Sequence, residues 1–511
     1  MITISKEAYR DKVRGCWLGK NIGGTLGAPF EGCNHATDLD FYTTDLSAGA
    51  LPNDDLDLQL SWLCAAERYQ TGVNAKILAE YWVTTIMPNW AEYGVGKSNL
   101  RLGLEPPLSG TYCNAFKDSN GAWIRSELWA CLMPGHPELA VKYAYEDAIV
   151  DHADEGVYAE VFTAALESAA FVCSDLETLI DIGLSYIPAD CGVAKAVRIA
   201  QQCYAEKMTW KQARIKLLSE VPGSFGRQSG HNEAEGLPLG PWGYDAPNNI
   251  GIVVIGWLFG EGDFGRSLCI AAGCGEDGDC TTATLGSILG IILGADRIPK
   301  KWSEPIGENI ATCSLNLKSS FIHIPKDINE LTDRTCRLMP AFMIGHFDPF
   351  ASGAEISMLN ADELADRPRG PFMLKSYCFK DYYPVCAETF TGETAIMKVQ
   401  VSAIDGINIQ PGAERRLKLH AENVSGFVGA QLWLELRWIL PEDWTITGGT
   451  QQALFLNQYH CGTGNAEAEF AITVGTIREP VTTVLLEVRA HDRPGRIYIP
   501  VQFVCSADDH R

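Results

Sequence analysis

The sequence predicts a multidomain chain: an all-α domain over residues 1–315, a transitional stretch with helical segments over 316–380, and an immunoglobulin-like β-sandwich over 381–511. Three observations predict it. Two apolar segments carry a glycine at every fourth residue, at 15, 19, 23 and 27 and again at 286, 290 and 294, which puts each set on one face of a helix. No strand-like alternation of any length occurs before residue 300. After about residue 380 the pattern switches to a period of two, with turn residues at short intervals.

Taken in order, residues 6–30 read as the first glycine-striped helix, with Trp17, Leu18, Ile22 and Leu26 between the glycines. Each glycine weakens a helix, so four in register point to close packing, and the matching stripe lies on the helix after Asp279. Residues 31–52 are irregular. A helix follows from Asn53 to about Tyr69 and another over 74–92. Residues 96–122, rich in Gly, Pro, Ser and Asn, read as a long loop of the kind that often carries function. Helical patterns continue at 123–132, 137–150, 155–172, 175–185, 192–205 and 209–219. A second Gly/Pro-rich loop spans 222–248, and helices resume at 248–259, 263–273 and 281–295. Helical segments are expected at 303–313 and 326–343. The strands begin with Val399 to Ala403, Leu417 to Ala421 and Leu432 to Trp438. Glu469 to Val474, Thr483 to Ala490 and Arg496 to Val501 follow. Trp433 and Trp438 differ in phase, so a regular strand sends them to opposite faces and at least one into the core. With Trp444 they make carbohydrate binding a role to weigh for this part of the chain, beside packing, oligomerisation and partner recognition.

Composition narrows the function. With 46% hydrophobic and 21% charged residues, the 511-residue chain has the make-up of an ordinary globular protein with a large core. A net charge of −23 argues against nucleic acid and anionic membrane as partners. An anionic small substrate stays open, because a bound cation inverts the local field. The 17 cysteines include no CxxC pair and sit mostly in apolar contexts, which reads as buried reduced thiols in a reducing, cytoplasmic setting. Residues 1–14 are charged, unlike a secretory signal, and the longest apolar run, 285–295, falls short of the ~20 residues of a membrane span. A homo-oligomer is compatible with all of this.

Two acidic clusters carry the chemistry. Asn53-Asp54-Asp55-Leu56-Asp57 opens one helix, and Gly275-Glu276-Asp277-Gly278-Asp279-Cys280-Thr281 opens another. Helix capping explains one or two residues of the first and, with Asp279 alone as a sufficient cap, one of the second. It does not explain adjacent Asp54 and Asp55, or Asp277 beside Asp279, which repel one another unless a cation is near. Oxygen donors without histidine suit a hard ion such as magnesium rather than zinc. The run from Asp277 is not a calcium loop, since its sixth residue is Thr282 rather than Gly and its twelfth Ile288 rather than Glu.

With these residues in place, the chain resembles the ADP-ribosylglycohydrolase family, the group that includes enzymes reversing protein ADP-ribosylation. The match runs in order through Gly15 to Gly19, Ile22 to Glu31, Asn53-Asp54-Asp55 at the family's Thr-Asp-Asp, and Gly275 to Ala283 at its Gly-Gly-Asp-x-Asp-Thr-x-Ala. Asn120-Gly121-Ala122 with Arg125, Asp151-His152 and Gly260 to Phe264 add weaker matches, and the whole covers roughly residues 8–300. The resemblance implies an all-α fold with two Mg2+ ions in a central cleft. Carried across residue by residue, Asn53, Asp54 and Asp55 would bind metal from one side, and Asp277, Asp279, Cys280 and Thr281 from the other. Glu31 and Asp55 would be the catalytic carboxylates. Asn120, Gly121 and His152 would hold substrate; apart from the resemblance, Trp242 and Tyr244 on the second Gly/Pro-rich loop are candidates to stack on a base. The implied reaction is hydrolysis of an N- or O-glycosidic bond by a metal-polarised water through an oxocarbenium-like transition state. The substrate would be ADP-ribosylated or a related ribosyl compound; a nucleoside, nucleotide or sugar conjugate, or a non-catalytic binding role, are the alternatives. The chain departs from the family at Gly24, where many members carry Asp, at Leu56, where they carry a second Thr, and at Cys280, where they carry a hydroxyl. A thiol is a poor Mg2+ ligand, so either Thr281 compensates or the second ion is held more weakly.

Overall fold

A computed structural model of the chain describes residues 2–221, 243–343, 356–366, 389–425, 431–457, 464–478, 481–491 and 495–505. The chain divides into two compact units, Met1–Tyr377 and Cys378–Arg511.

In the first unit, strand β1 (Ile2–Ile4) leads into helix α1 (Lys6–Gly27). Then come α2 (Asp54–Tyr69), α3 (Ala75–Thr85), α4 (Ala91–Arg101), α5 (Leu108–Thr111), α6 (Glu127–Leu132) and α7 (Pro137–Ala148). They are followed by α8 (Asp154–Ala170), α9 (Leu176–Leu184), α10 (Gly192–Ala205), α11 (Trp210–Glu220), α12 (Ala246–Gly260) and α13 (Phe264–Gly273). The unit continues with α14 (Gly278–Leu293), α15 (Lys300–Ser303), α16 (Ile328–Phe342), strand β2 (Ile356–Met358) and α17 (Ala361–Asp366).

Most expected helices are present, with informative differences. The helix expected over 74–92 is two, because Pro88 lies in the break between α3 and α4. α4 then runs to Arg101, into the expected loop. The segment 303–313 is not helical beyond Ser303. β1 is a strand before residue 300, paired antiparallel with β2 from Ile2↔Met358 to Ile4↔Ile356; at three residues it is too short to register as alternation. α16 packs on α1, α2 and α6, so the helical unit continues past residue 315. All of α12 and nearly all of α14 are buried, which is why both read as apolar on every face.

The two glycine-striped helices meet. A Cβ built on Gly15, Gly19, Gly23 or Gly27 would fall onto the backbone of Gly290, Gly286, Thr282 or Gly278 respectively. The converse holds at Gly286 and Gly290. α1 and α14 therefore pack backbone to backbone in one register, and that register places the N-terminus of α14 beside the C-terminus of α1.

The second unit has strands β3 (Thr389–Glu393), β4 (Met397–Ala403), β5 (Glu414–Asn423), β6 (Leu432–Ile439), β7 (Thr445–Ile446), β8 (Gln451–Leu456), β9 (Asn465–Thr473), β10 (Val481–Ala490) and β11 (Arg496–Val504). They form two antiparallel sheets, ordered β3-β4-β5-β9-β7 and β11-β10-β6-β8. Alternate residues of both sheets feed one apolar core, including Val399, Leu419, Leu434, Phe470, Leu486 and Ile499. Trp438 and Trp444 lie in this core. Trp433 is 57% exposed and stacks at a tilt on Phe455, its neighbour on β8, with ring centroids 5.2 Å apart.

Candidate metal centre and active site

Two helix starts carry the candidate centre. At α2, Asn53 is the N-cap, and its side-chain oxygen accepts the Asp55 amide at 2.7 Å. With the cap made by Asn53, Asp54 and Asp55 are free of that duty. At α14 the N-cap position belongs to Asp277, and its side chain makes no capping bond. Capping therefore does not account for these aspartates. The Asp277 carboxylate instead accepts the Asn120 side-chain amide at 2.8 Å, and its backbone N–H donates to the Asn249 side chain at 3.2 Å.

A short backbone clamp brings in Glu31. The Gly32 amide donates to the Glu276 carbonyl and the Glu276 amide to the Cys33 carbonyl, both at 2.7 Å. This bridge sets the chain end after α1 alongside the residue before Asp277. The outcome is a group of three carboxylates, Glu31, Asp277 and Asp279, whose ligand oxygens lie within 4.8 Å of one another. Glu31 is exposed, whereas Asp277 and Asp279 are buried. A second group meets the same limit: Asp55, Asp279 and Cys280, all buried. Asp279 belongs to both.

The electrostatics are those of a crowded acidic site. Burial pushes Asp55 up to about 8, with Lys20 opposing and Asp54 adding to the shift. Burial likewise raises Asp54, Asp277 and Asp279, and neighbouring carboxylates add to it at Asp54 and Asp279. Two carboxylate oxygens inside the cluster, Asp55 Oδ2 and Asp279 Oδ1, are buried with no hydrogen-bond partner. Buried acceptors of this kind are costly unless something satisfies them, and a cation would. The all-oxygen group fits a hard divalent ion. The second group is mixed, because it includes a thiol.

Asp54 lies outside both three-ligand groups, and its Oδ2 accepts the Tyr93 hydroxyl at 2.8 Å. The Thr281 hydroxyl donates to the Gly278 carbonyl at 3.1 Å. Asn120 is buried, accepts from the Trp123 indole at 2.9 Å, and holds Asp277 as described. Gly121 packs against Glu92, so a Cβ there would meet Glu92 Oε1. His152 is fully buried, with Nε2 2.8 Å from the Ser119 hydroxyl and Nδ1 2.9 Å from Asp151 Oδ1. Tyr244 is half-buried, and Trp242 lies outside the described residues. At Gly24 a Cβ would run into the Asn53 side-chain amide, so the absence of a larger residue at 24 and the presence of Asn at 53 go together.

Sequence reasoning passed over several residues that build the centre. Lys20 is buried beneath it, donating to Glu127 and the Ile124 carbonyl at 2.7 Å each and lying 3.5 Å from Asp55 Oδ2. Burial works against its charge, but Glu127 and Asp55 outweigh it and keep Lys20 protonated. Gln59 and Thr284 complete this layer through Glu127. Asp57 turns away from the cluster and accepts the amides of Cys313 and Ser314 at 2.8 and 2.7 Å. Glu276 sits at φ 59, where the family pattern has glycine, and accepts the Gly243 amide at 2.8 Å, with the Arg214 guanidinium 3.6 Å away. A lone lysine between Trp17 and Phe30 was the readable signal for Lys20. Nothing local marked Tyr93, Arg214 or Asn249.

The model of the ADP-ribosylglycohydrolase family matches residues 5–341, more than half of the chain. The chain belongs to the ADP-ribosylglycohydrolase family. Its helical unit carries that family's fold, and the β-rich unit lies beyond the match. Among solved structures the chain is similar to an ADP-ribosylglycohydrolase-related protein complex, at 18% identity and a TM-score of 0.39, over 66% of this chain and 98% of that one. No curated protein matches the chain. No helix among the described residues of this ADP-ribosylglycohydrolase family member is long and apolar enough to cross a membrane.

Proposed function

We propose that this chain is a divalent-cation-dependent glycohydrolase that cleaves a glycosidic bond of an ADP-ribosyl or related ribosyl substrate. The observation that carries the reading is the convergence of Glu31, Asp277 and Asp279, with a buried unpartnered oxygen on Asp279. Glu31, Asp277 and Asp279 would hold Mg2+, and Asp55 with Cys280 would contribute to a second ion. When bound, the ions supply positive charge and Lewis acidity toward the substrate's ribose and diphosphate oxygens.

The chain's own groups do the rest. Glu31, the exposed member of its group, is the carboxylate open to a substrate-side water and is assigned as the base that takes its proton. Asp55, buried beside Asp279 and steadied by Lys20, is the second carboxylate the reading places at the reaction. Asn120 and Tyr93 hold Asp277 and Asp54 in position, so little reorganisation accompanies reaction. Binding at this end of α14 restricts water to the Glu31 side, because Asp55, Asp279 and Cys280 are buried.

The departures from the family pattern at Gly24, Leu56 and Cys280 support a second reading in which the same chemistry serves a nucleoside, nucleotide or sugar conjugate. The reading also takes the partner to be a small molecule or ADP-ribosylated group rather than nucleic acid or membrane. It sets the enzyme in the reducing cytoplasm, supported by the mostly buried cysteines of the helical unit. For the second unit it takes the two sheets and their shared core as an immunoglobulin-like sandwich.

Hydrolysis of ADP-ribosyl-arginine and ADP-ribosyl-serine peptides with Mg2+ tests the main reading. Asp277→Ala and Asp54→Ala are each expected to lower kcat/KM by on the order of 10²–10³-fold, and EDTA to abolish turnover. Ribosyl turnover confined to free nucleosides or nucleotides would favour the second reading. Tight ADP-ribose binding with no turnover of any such substrate would sink both.

A further inference from the structure

The second ligand group does not suit the ion that the first one suits. Asp55, Asp279 and Cys280 converge within 4.8 Å and are buried. The Cys280 sulfur faces the carboxylates, not the apolar core: Sγ lies 3.4 Å from Asp55 Oδ1. The next residue, Thr281, turns its hydroxyl proton back to the Gly278 carbonyl of its own helix. Asp279 Oδ1 remains buried with no hydrogen-bond partner, and Asp55 Oδ2 has no hydrogen bond and faces the Lys20 ammonium. Lys20 Nζ stands 3.5 Å from Asp55 Oδ2 and opposes any weakly held cation there. Mg2+ gains little from sulfur, whereas Zn2+ and its neighbours in the Irving–Williams order bind thiolate and carboxylate together.

We propose that the Asp55–Asp279–Cys280 pocket is a mixed carboxylate–thiolate site for a thiophilic divalent cation of the Zn2+ class, beside a hard-ion site at Glu31, Asp277 and Asp279. The inference rests on the metal-dependent reading above. The ion displaces the thiol proton as it binds, and Asp279 is shared between the two sites. The competing account is that Cys280 merely fills the volume of a threonine, as buried cysteines often do. That account predicts no metal–sulfur bond.

Cobalt separates the two. The metal-free full chain is titrated with Co2+ and read in the visible d–d region and at the near-ultraviolet sulfur-to-cobalt charge-transfer band, with Zn2+ then added as competitor. Wild type is expected to show the band, and Zn2+ but not Mg2+ to remove it. Cys280→Ser and the more conservative Cys280→Thr are expected to lose the band, to keep d–d absorption from the carboxylate group, and to bind Zn2+ at least ~100-fold more weakly, with circular dichroism reporting that each remains folded. Cobalt bound without the band in wild type, or a band that survives in both variants, overturns the thiolate site and leaves the glycohydrolase reading standing. No cobalt bound at all overturns both.

Discussion

At the residue scale, the proposed chemistry rests on buried carboxylates that the fold holds close together and only partly satisfies. Asp277 occupies an N-cap position and does not cap, and Asp279 keeps a buried oxygen without a partner. Their positions depend on neutral neighbours. Asn120→Ala removes the amide that holds Asp277, and Mg2+ affinity measured by calorimetry is expected to fall about 10–100-fold, as for other groups that orient a ligand. Glu92 offers a pH test away from the ligands. Burial first, then Asp151, push it up to about 8, against an ordinary 4.5. A carboxyl with a raised folded-state value favours the folded protein while both states are protonated. That contribution is lost as pH rises from about 4.5 through 8, because only the unfolded chain then gives up its proton freely. Thermal unfolding should therefore show stability declining across this window and levelling above it. Glu92→Gln should flatten the slope, and a variant as steep as wild type would contradict the assignment.

At the element scale, the α1–α14 pair fixes the site. The stripes hold two backbones in contact, so the register of one helix against the other has little freedom. That register sets Asp279 beside Asp55 and, through the Gly32–Glu276 clamp, Asp277 beside Glu31. Gly19→Ala would drive a methyl into the Gly286 carbonyl. Urea unfolding should report a loss of about 3 kcal/mol, and Mg2+ binding should weaken with it as the helix starts move apart. Gly72→Ala, which meets nothing within 4 Å, serves as the comparison and should change stability by no more than ~0.5 kcal/mol.

At the scale of the whole molecule, each unit has the parts of an independent fold. The family match ends at residue 341, and the second unit draws a core from both of its sheets. Residues 378–511 expressed alone are expected to unfold cooperatively in urea, with strand-type circular dichroism. Residues 1–377 alone are expected to keep metal binding. Loss of metal binding in that fragment, with its helical spectrum intact, would show that the centre needs the β-rich unit. The legibility of each unit followed its periodicity. Long helices and six of the strands carry many repeats of their period. β1, β7 and the break at Pro88 carry almost none.

The local pattern of spacing and residue type was enough to read the helical unit, the β-rich unit, two matching glycine stripes and two acidic clusters. It left open which acids share an ion. Packing brings Glu31 to Asp277 and Asp279, turns Cys280 toward Asp55, sends Asp57 to the 313–314 backbone instead, and sets Lys20 beneath them. Asp57 and Asp55 look alike in sequence and differ by two helix positions. That offset of about 200° around α2 sends one carboxylate to the centre and the other to a backbone loop, and no local pattern encodes what waits on either side.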